Sequence, residues 1–418
     1  MSEPPSPAPP PSRDLRGPFA PFRYRDFRVL WAAMIARAAA QWMDQVARPV
    51  LVFELTDSAF LVGAVIAARM APNFLLGLFA GSLVDRYPRR NVLVASQILN
   101  GIASLALVPL LLSGWIEAWQ VIALVSLQGV TIAFFQPARQ AILPALVPVE
   151  TLRAAVAMSQ TAQHSMRIVG GIMGGVLLAV TSFETIYALM AVLYAVAVLL
   201  LLGIRSDTRP ARGIETARAS IWQSTKEGAR WALKERRPLA IVLLGSLLFI
   251  LVVPYQSVFL PILVLDELGK DRAFVGYLAA ATGVGAVFAS LTVASLRRLP
   301  APGLVMLSLL ALSGALLLAL AASPWLPLIA LVLVGLGGSN VAFMSVNNLT
   351  MLGLAPDAMA GRAMSLMNFA RGLIPVGALV AGALADSWGA REGMLAMGIA
   401  AIAAAILVAL FVPAVRRV

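Results

Sequence analysis

Five polar residues fall on one side of the first apolar segment: Arg37, Gln41, Asp44, Gln45 and Arg48. At about 100° per helical residue they form a single stripe roughly 100° wide. The rest of the segment is largely apolar. A carboxylate with arginines one and two turns away can form an ion pair. It can also take up and release a proton, with an affinity set by whether an arginine stays close. At 1.5 Å per residue, Asp44 lies about 24 Å along the helix from Arg28. A charge near the middle of a bilayer costs roughly 2.5–3.5 kcal/mol on insertion scales, so the stripe must face a watery cavity or protein partners. Two readings stay open: an internal ion pair that fixes helix packing, or a cavity wall in which Asp44 carries an exchangeable proton.

Other apolar segments repeat the theme. Arg69 and Asn73 are one turn apart in the second, and the fourth offers Gln128 and Thr131. The fifth presents Gln160, Gln163, His164 and Arg167 on one face, and the seventh holds Tyr255 and Gln256 behind Pro254. Asn340 lies in the tenth, and Asn368 and Arg371 in the eleventh. These are the candidate cavity residues. His164 titrates near neutrality and is the second proton candidate, against its plainer reading as a hydrogen-bonder between helices. Within the apolar segments Arg37, Arg48, Arg69, Arg167 and Arg371 face a single carboxylate, Asp44. If several of these arginines share one cavity, its potential is positive and favours a substrate bearing an acidic group. The alternative is that some bond to helix carbonyls or reach toward the membrane surface.

The elements that position these residues follow from composition. The chain has 418 residues, of which 60% are apolar and only 12% charged. Its mean hydropathy is +0.87. A soluble domain carries about twice that charge fraction, so the chain reads as a polytopic membrane protein. There is no cysteine and a single histidine, which excludes disulfides, thiolate chemistry and His-rich metal sites. No phosphate-binding loop is present, no prosthetic cofactor is implied, and no nucleophile–base pair points to an enzyme. The net charge of +12 is placed as membrane topology places it, not as nucleic acid would require.

A spanning helix needs about 20 mostly apolar residues, and twelve such segments are present, near 26–50, 58–80, 91–112, 118–141, 155–180, 184–204, 238–265, 272–296, 302–322, 325–350, 362–385 and 391–414. The expected fold is an all-α membrane protein with two pseudo-symmetric six-helix bundles. Residues 1–21 read as a disordered cytoplasmic tail, 22–204 as the first bundle, 205–237 as a cytoplasmic linker and 238–418 as the second bundle. Ile221, Trp222, Gly228 and Trp231 amid charges suggest an amphipathic surface helix in the linker. With both termini inside, cytoplasmic segments hold 24 of the 32 basic residues and outer segments hold three; lysine and arginine are retained on the cytoplasmic side. The halves echo one another: Phe60-Leu-Val-Gly63 opens the second segment and Phe274-Val-Gly276 the eighth.

After the second segment comes Gly81-Ser-Leu-Val-Asp85-Arg86-Tyr-Pro-Arg89-Arg90. This resembles the signature loop of the major facilitator superfamily, and the resemblance implies a cytoplasmic latch built from Gly81, Asp85, Arg86 and Arg90. Three stretches, Phe22-Arg-Tyr-Arg-Asp-Phe-Arg-Val-Leu-Trp31, Pro137-Ala-Arg-Gln-Ala-Ile-Leu-Pro144 and Gly361-Arg362-Ala-Met-Ser-Leu-Met-Asn368, resemble its transmembrane-effector branch of enterobactin-exporter and macrolide-efflux type. The chain departs from the drug–proton antiporters of the superfamily at two points. Gly170-Gly171-Ile-Met-Gly174-Gly175 lacks their proline, and Val125 stands where they carry a basic residue. The resemblance implies a two-bundle fold around a central site, export of a small amphipathic molecule (drug, siderophore or secreted metabolite) by proton antiport with alternating access, and a working monomer. The expected partners are membrane lipids, a small-molecule substrate and protons, with no nucleic acid, in a bacterial inner membrane. An importer or uniporter of a nutrient or lipid-like anion, and a non-transporting sensor, remain as alternatives.

Overall fold

The computed structural model describes residues 17, 19–84, 86–208, 235–295, 301–355 and 360–416. Asp85, most of the N-terminal tail and the expected linker helix around Trp222 and Trp231 lie outside the described residues.

The first half contains α1 (Arg25–Thr56), α2 (Ala59–Val84), α3 (Arg89–Ser113), α4 (Ala118–Leu146), α5 (Val149–Val180) and α6 (Phe183–Leu202). The second contains α7 (Arg236–Glu267), α8 (Arg272–Ser295), α9 (Pro302–Ala322), α10 (Leu326–Leu354), α11 in two pieces (Ala360–Arg371 and Ile374–Trp388) and α12 (Ala390–Phe411). Nine of these rods are long and apolar enough, among the described residues, to cross a membrane. The described residues are helical with connecting turns, and the twelve rods follow the order that the apolar segments predict.

Helix ends follow local chemistry. α4 starts on a reciprocal cap, Glu117 with Gln120. α3 stops at Gly114 with φ 69°, and α11 meets α12 at Gly389 with φ 96°, a backbone region that glycine enters without steric cost. Two rods are irregular, and prolines account for both. In α7, Val252 N and Val253 N both donate to Leu248 O, at 2.9 and 3.1 Å, just before Pro254, and the turns at Tyr255–Phe259 and Leu263–Glu267 widen to π geometry. Such widened turns collect at functional sites. In α11, Pro375 has no N–H to bond the preceding turn, and the helix breaks at 372–373 immediately after Arg371.

Within the first half α1 packs on α5 and α6, α2 on α4, and α3 on α6; within the second α8 packs on α10 and α9 on α12. The halves meet through α2 against α11 and α5 against α8. Here the repeated glycines find their purpose. A Cβ on Gly63 would collide with the carbonyl of Ala378, and one on Gly175 would sit 2.6 Å from Gly276 Cα. In lipid no hydrophobic force drives helices together, so close backbone approach at small residues carries much of the attraction. The cross-half contacts gather at the ends of the rods away from the linker: Arg272 pairs with Glu54 at 3.9 Å and donates to Thr181 O at 3.3 Å.

Gly276→Val is expected to push the linker-distal ends of α5 and α8 apart. Spin labels at cysteines introduced at Ser182 and Asp271, in a chain with no other cysteine, should report a longer distance than in the parent.

Candidate functional site

The halves enclose a cavity of about 350 Å³, within the range of small-molecule sites. α1 supplies Gln41, Trp42, Asp44, Gln45 and Arg48, α2 supplies Arg69 and Asn73, and the second half supplies Gln256, Asn340 and Arg371. Between these polar groups the wall is apolar, with Val62, Ile66, Met70, Phe249, Val253 and Met344 among its members. Such a surface suits an amphipathic molecule.

Asp44 and Arg48 are 1% and 5% exposed, so the ion pair is buried. Arg48 Nη2 stands 2.6 Å from Asp44 Oδ1, one helical turn away on α1. Arg69 Nη1, brought by α2, lies 3.8 Å from Asp44 Oδ2 and donates to Gln45 Oε1 at 2.9 Å. Arg48 Nη2 also donates to Gln128 Oε1 at 2.8 Å. One carboxylate is thus flanked by two guanidinium groups, and glutamine carbonyls take up part of the remaining donor capacity. A buried ion pair needs this kind of additional hydrogen bonding to offset desolvation. α2 reaches the cluster because Gly129 of α4 lets the Arg69 backbone close in; a Cβ there would collide with the Arg69 carbonyl.

On the opposite wall Arg371 donates to Asn368 Oδ1 at 3.2 Å and to Asn348 Oδ1 at 3.3 Å. Gln256 donates to Thr282 Oγ1 at 3.3 Å. Asp44 is the only carboxylate among the described residues that line the cavity, against Arg48, Arg69 and Arg371.

The other candidates fall elsewhere. Arg37 is 2% exposed and stands 3.8 Å over the Phe135 ring, inside the first half and off the cavity wall. Gln160 accepts from Arg139 at 3.4 Å, also within the first half. Gln128 is buried and accepts from Arg48, and Asn368 is exposed and accepts from Arg371; neither is among the cavity residues. Tyr255 is buried and lines a separate pocket of about 50 Å³, which it shares with Trp42, Gln45, Gln256 and Asn340. Gln163 is partly buried in α5 and is not among the cavity residues. His164 and Arg167 belong to α5, but their side chains are outside the described set. Of the latch candidates, Gly81 is in α2 and Arg86 is exposed in the turn after it. Arg90 donates to Ile204 O at 2.8 Å, which ties it to the end of its own half.

Sequence reasoning did not single out Trp42, Thr282 or the apolar wall. A tryptophan beside polar neighbours looks like any lipid-facing aromatic until its partners across the cavity are known. Two of the α5 glycines pack closely on α1: Cβ atoms on Gly170 and Gly174 would lie 2.9 Å from Trp42 Cβ and Met43 Cα.

Two bundles closed at one end around a polar-and-apolar cavity define a membrane transporter of the major facilitator fold. The chain belongs to the transmembrane secretion effector family, whose model matches residues 16–417. It is therefore a transporter and not an enzyme. It is 28% identical over 404 residues to the multidrug efflux pump Tap of Mycolicibacterium fortuitum, covering 93% of this chain and 96% of that protein. Macrolide efflux protein A of Streptococcus pyogenes is 23% identical over 240 residues, covering 57% and 59%. Among solved structures, a POT family transporter in complex with 5-aminolevulinic acid superposes with TM-score 0.74 at 12% identity, covering 96% and 98%. A bacterial homologue of the human lysosomal transporter Spinster, inward-facing and unoccupied, gives 0.73 at 12% identity, covering 94% and 96%. Bacterial efflux relatives and many apolar helices make this a bacterial membrane protein.

Removing the carboxylate strands the buried Arg48, whereas removing Arg48 leaves Asp44 with Arg69. Asp44→Leu is expected to lower stability by roughly 3–5 kcal/mol, and the double variant Asp44→Leu/Arg48→Leu by less than Asp44→Leu alone. Thermal unfolding of the detergent-purified proteins checks the order.

Proposed function

We propose that this protein exports a small amphipathic molecule from the bacterial cytoplasm in exchange for protons, with Asp44 as the proton carrier. The observation that supports this most is the position of Asp44: a buried carboxylate at the cavity wall, held by one arginine of its own helix and one of the next. Protonation removes its charge, frees Arg48 and Arg69 to seek other partners, and so changes the cost of rearranging α1 against α2. A proton or a substrate moves the equilibrium between inward and outward states only by its differential affinity for them. The efflux relatives support the direction. The basic bias supports a linker and termini on the cytoplasmic face of the inner membrane, and in that orientation the contacts gathered at the linker-distal ends close the outer side. The site is complete within one chain, and a monomer suffices.

One observation favours a second reading of the substrate. Arg69 and Arg371 reach the same cavity from opposite halves, and an acidic substrate group would find both. The sign of coupling then changes. A proton on Asp44 weakens its hold on Arg69 and helps an anion to bind, whereas exchange requires the two to oppose one another. An exported anion needs no proton. Each unit charge moving outward across an interior-negative membrane gains about 2.3 kcal/mol per 100 mV.

Uptake into everted vesicles separates these readings, with the pH gradient and the electrical potential imposed one at a time and a panel of anionic siderophore-like compounds, macrolides and lipophilic cations as probes. Proton exchange predicts uptake driven by an acid lumen alone and lost in Asp44→Asn. Uptake of an anion driven by a positive lumen alone, surviving Asp44→Asn and lost in Arg69→Gln/Arg371→Gln, would establish the second reading. Folded protein with neither flux would favour an importer or a sensor.

A further inference from the structure

Gly-x-Leu-x-Asp occurs twice in the chain, as Gly81-Ser-Leu-Val-Asp85, of which Gly81 to Val84 close α2, and as Gly382-Ala-Leu-Ala-Asp386 in the last turns of α11. The first lies on the linker side, where the family resemblance implies a latch. The second lies at the opposite end of the molecule, and there the contact is visible.

Asp386 Oδ1 accepts from Ala59 N at 2.5 Å, and its Oδ2 accepts from Ser58 Oγ at 2.8 Å and Phe60 N at 3.0 Å. All three donors belong to the start of α2, in the first half, 326 to 328 residues away in the chain. The first amides of a helix have no partner within it and carry a partial positive charge. Ser58 stands at the capping position, and its Oγ accepts from Leu61 N at 3.3 Å. The amides of Ala59 and Phe60 are satisfied by the carboxylate of the other half. The approach is tight: a Cβ on Gly382 would lie 2.5 Å from Ala59 O, and Gly63, one turn further along α2, meets Ala378 in the same way. The glycines let α2 and α11 touch, and that contact carries the carboxylate onto the helix start.

We propose that Asp386 is a gating residue of the transport cycle. Its carboxylate caps α2 when the linker-distal side is closed and leaves it when that side opens. The cap exists only in one state, so it biases the equilibrium toward that state; Asp386 is exposed, and opening leaves the first amides of α2 without its carboxylate. Gly-x-Leu-x-Asp thus occurs in both halves of the sequence, and in the second half its acid is this cap. The other cross-half pair of helices, α5 and α8, closes the same end through the Gly175–Gly276 contact and Arg272, and no carboxylate cap of this kind joins them among the described residues.

The test uses the absence of native cysteine. Spin labels at cysteines introduced at Ser113 and Ala322, on linker-distal helix ends of opposite halves, report the opening of that side by distance distributions in lipid nanodiscs. Loss of hydrogen bonds to a charged group predicts that Asp386→Ala raises the open-to-closed ratio by roughly tenfold to a hundredfold. Ser58→Ala, which removes one of the three donors, should shift it in the same direction by less. Asp271→Ala, an exposed acid at the same end, should leave it unchanged. Each variant is scored only alongside an unfolding transition that shows it folded. An Asp386→Ala distribution identical to the parent, in folded protein, overturns the proposal, as does an equal shift in Asp271→Ala. The readout involves neither substrate nor proton, so its failure would leave the function proposed above untouched.

Discussion

Much of this molecule is arranged around a carboxylate that apolar surroundings would not tolerate alone. Asp44 is buried with Arg48 beside it and Arg69 reaching over from α2. An isolated charge at this depth would neutralise or pull water in. A charge there takes neighbours of opposite sign, and Gln45 and Gln128 accept one hydrogen bond each from Arg69 and Arg48. Those requirements fix how close α1, α2 and α4 must lie, and Gly129 supplies the space for one of the close approaches. The cluster holds α1, α2 and α4 together, and the proposed function adds to that packing role an exchangeable proton on Asp44.

Around this cluster the halves divide their tasks. Their linker-distal ends meet through glycines and a few polar contacts, where backbones touch. Their middle is kept apart by side chains that prefer a cavity to each other. Contacts made by small residues and hydrogen bonds can be broken without exposing a large apolar surface to water. That is the property an end-to-end switch needs. The irregular turns of α7 and the break after Arg371 put softened backbone beside the cavity, whereas α1 runs unbroken past Asp44 despite Pro49. The first half thus presents the charges on a continuous rod, and the second half faces them with segments that can adjust.

The fold was legible because lipid leaves few options: apolar runs of spanning length, a basic bias in the connections and one charged linker define the two bundles. The site was legible in part. The stripe on α1 placed Gln41, Asp44, Gln45 and Arg48 on one face, and that face is the cavity wall. Helical periodicity gives the face of a residue but not the neighbour opposite, so Arg37, Gln160 and Tyr255 could not be told apart from true wall residues. Asp386 shows a different limit. It stands where an apolar run ends, as loop acids do, and only its Gly-x-Leu-x-Asp setting sets it apart. The widened turns of α7 had a partial signal in Pro254, which marks a disturbed helix without saying how the backbone recovers.

The central claim is that substrate and proton oppose one another at Asp44. It is tested most directly by following protons during binding: a transported compound is added to detergent-purified protein in lightly buffered solution containing a pH indicator, with Asp44→Asn alongside. The account predicts proton release on binding to the parent protein and none from Asp44→Asn. Proton uptake by the parent, or equal release from both proteins, would contradict it.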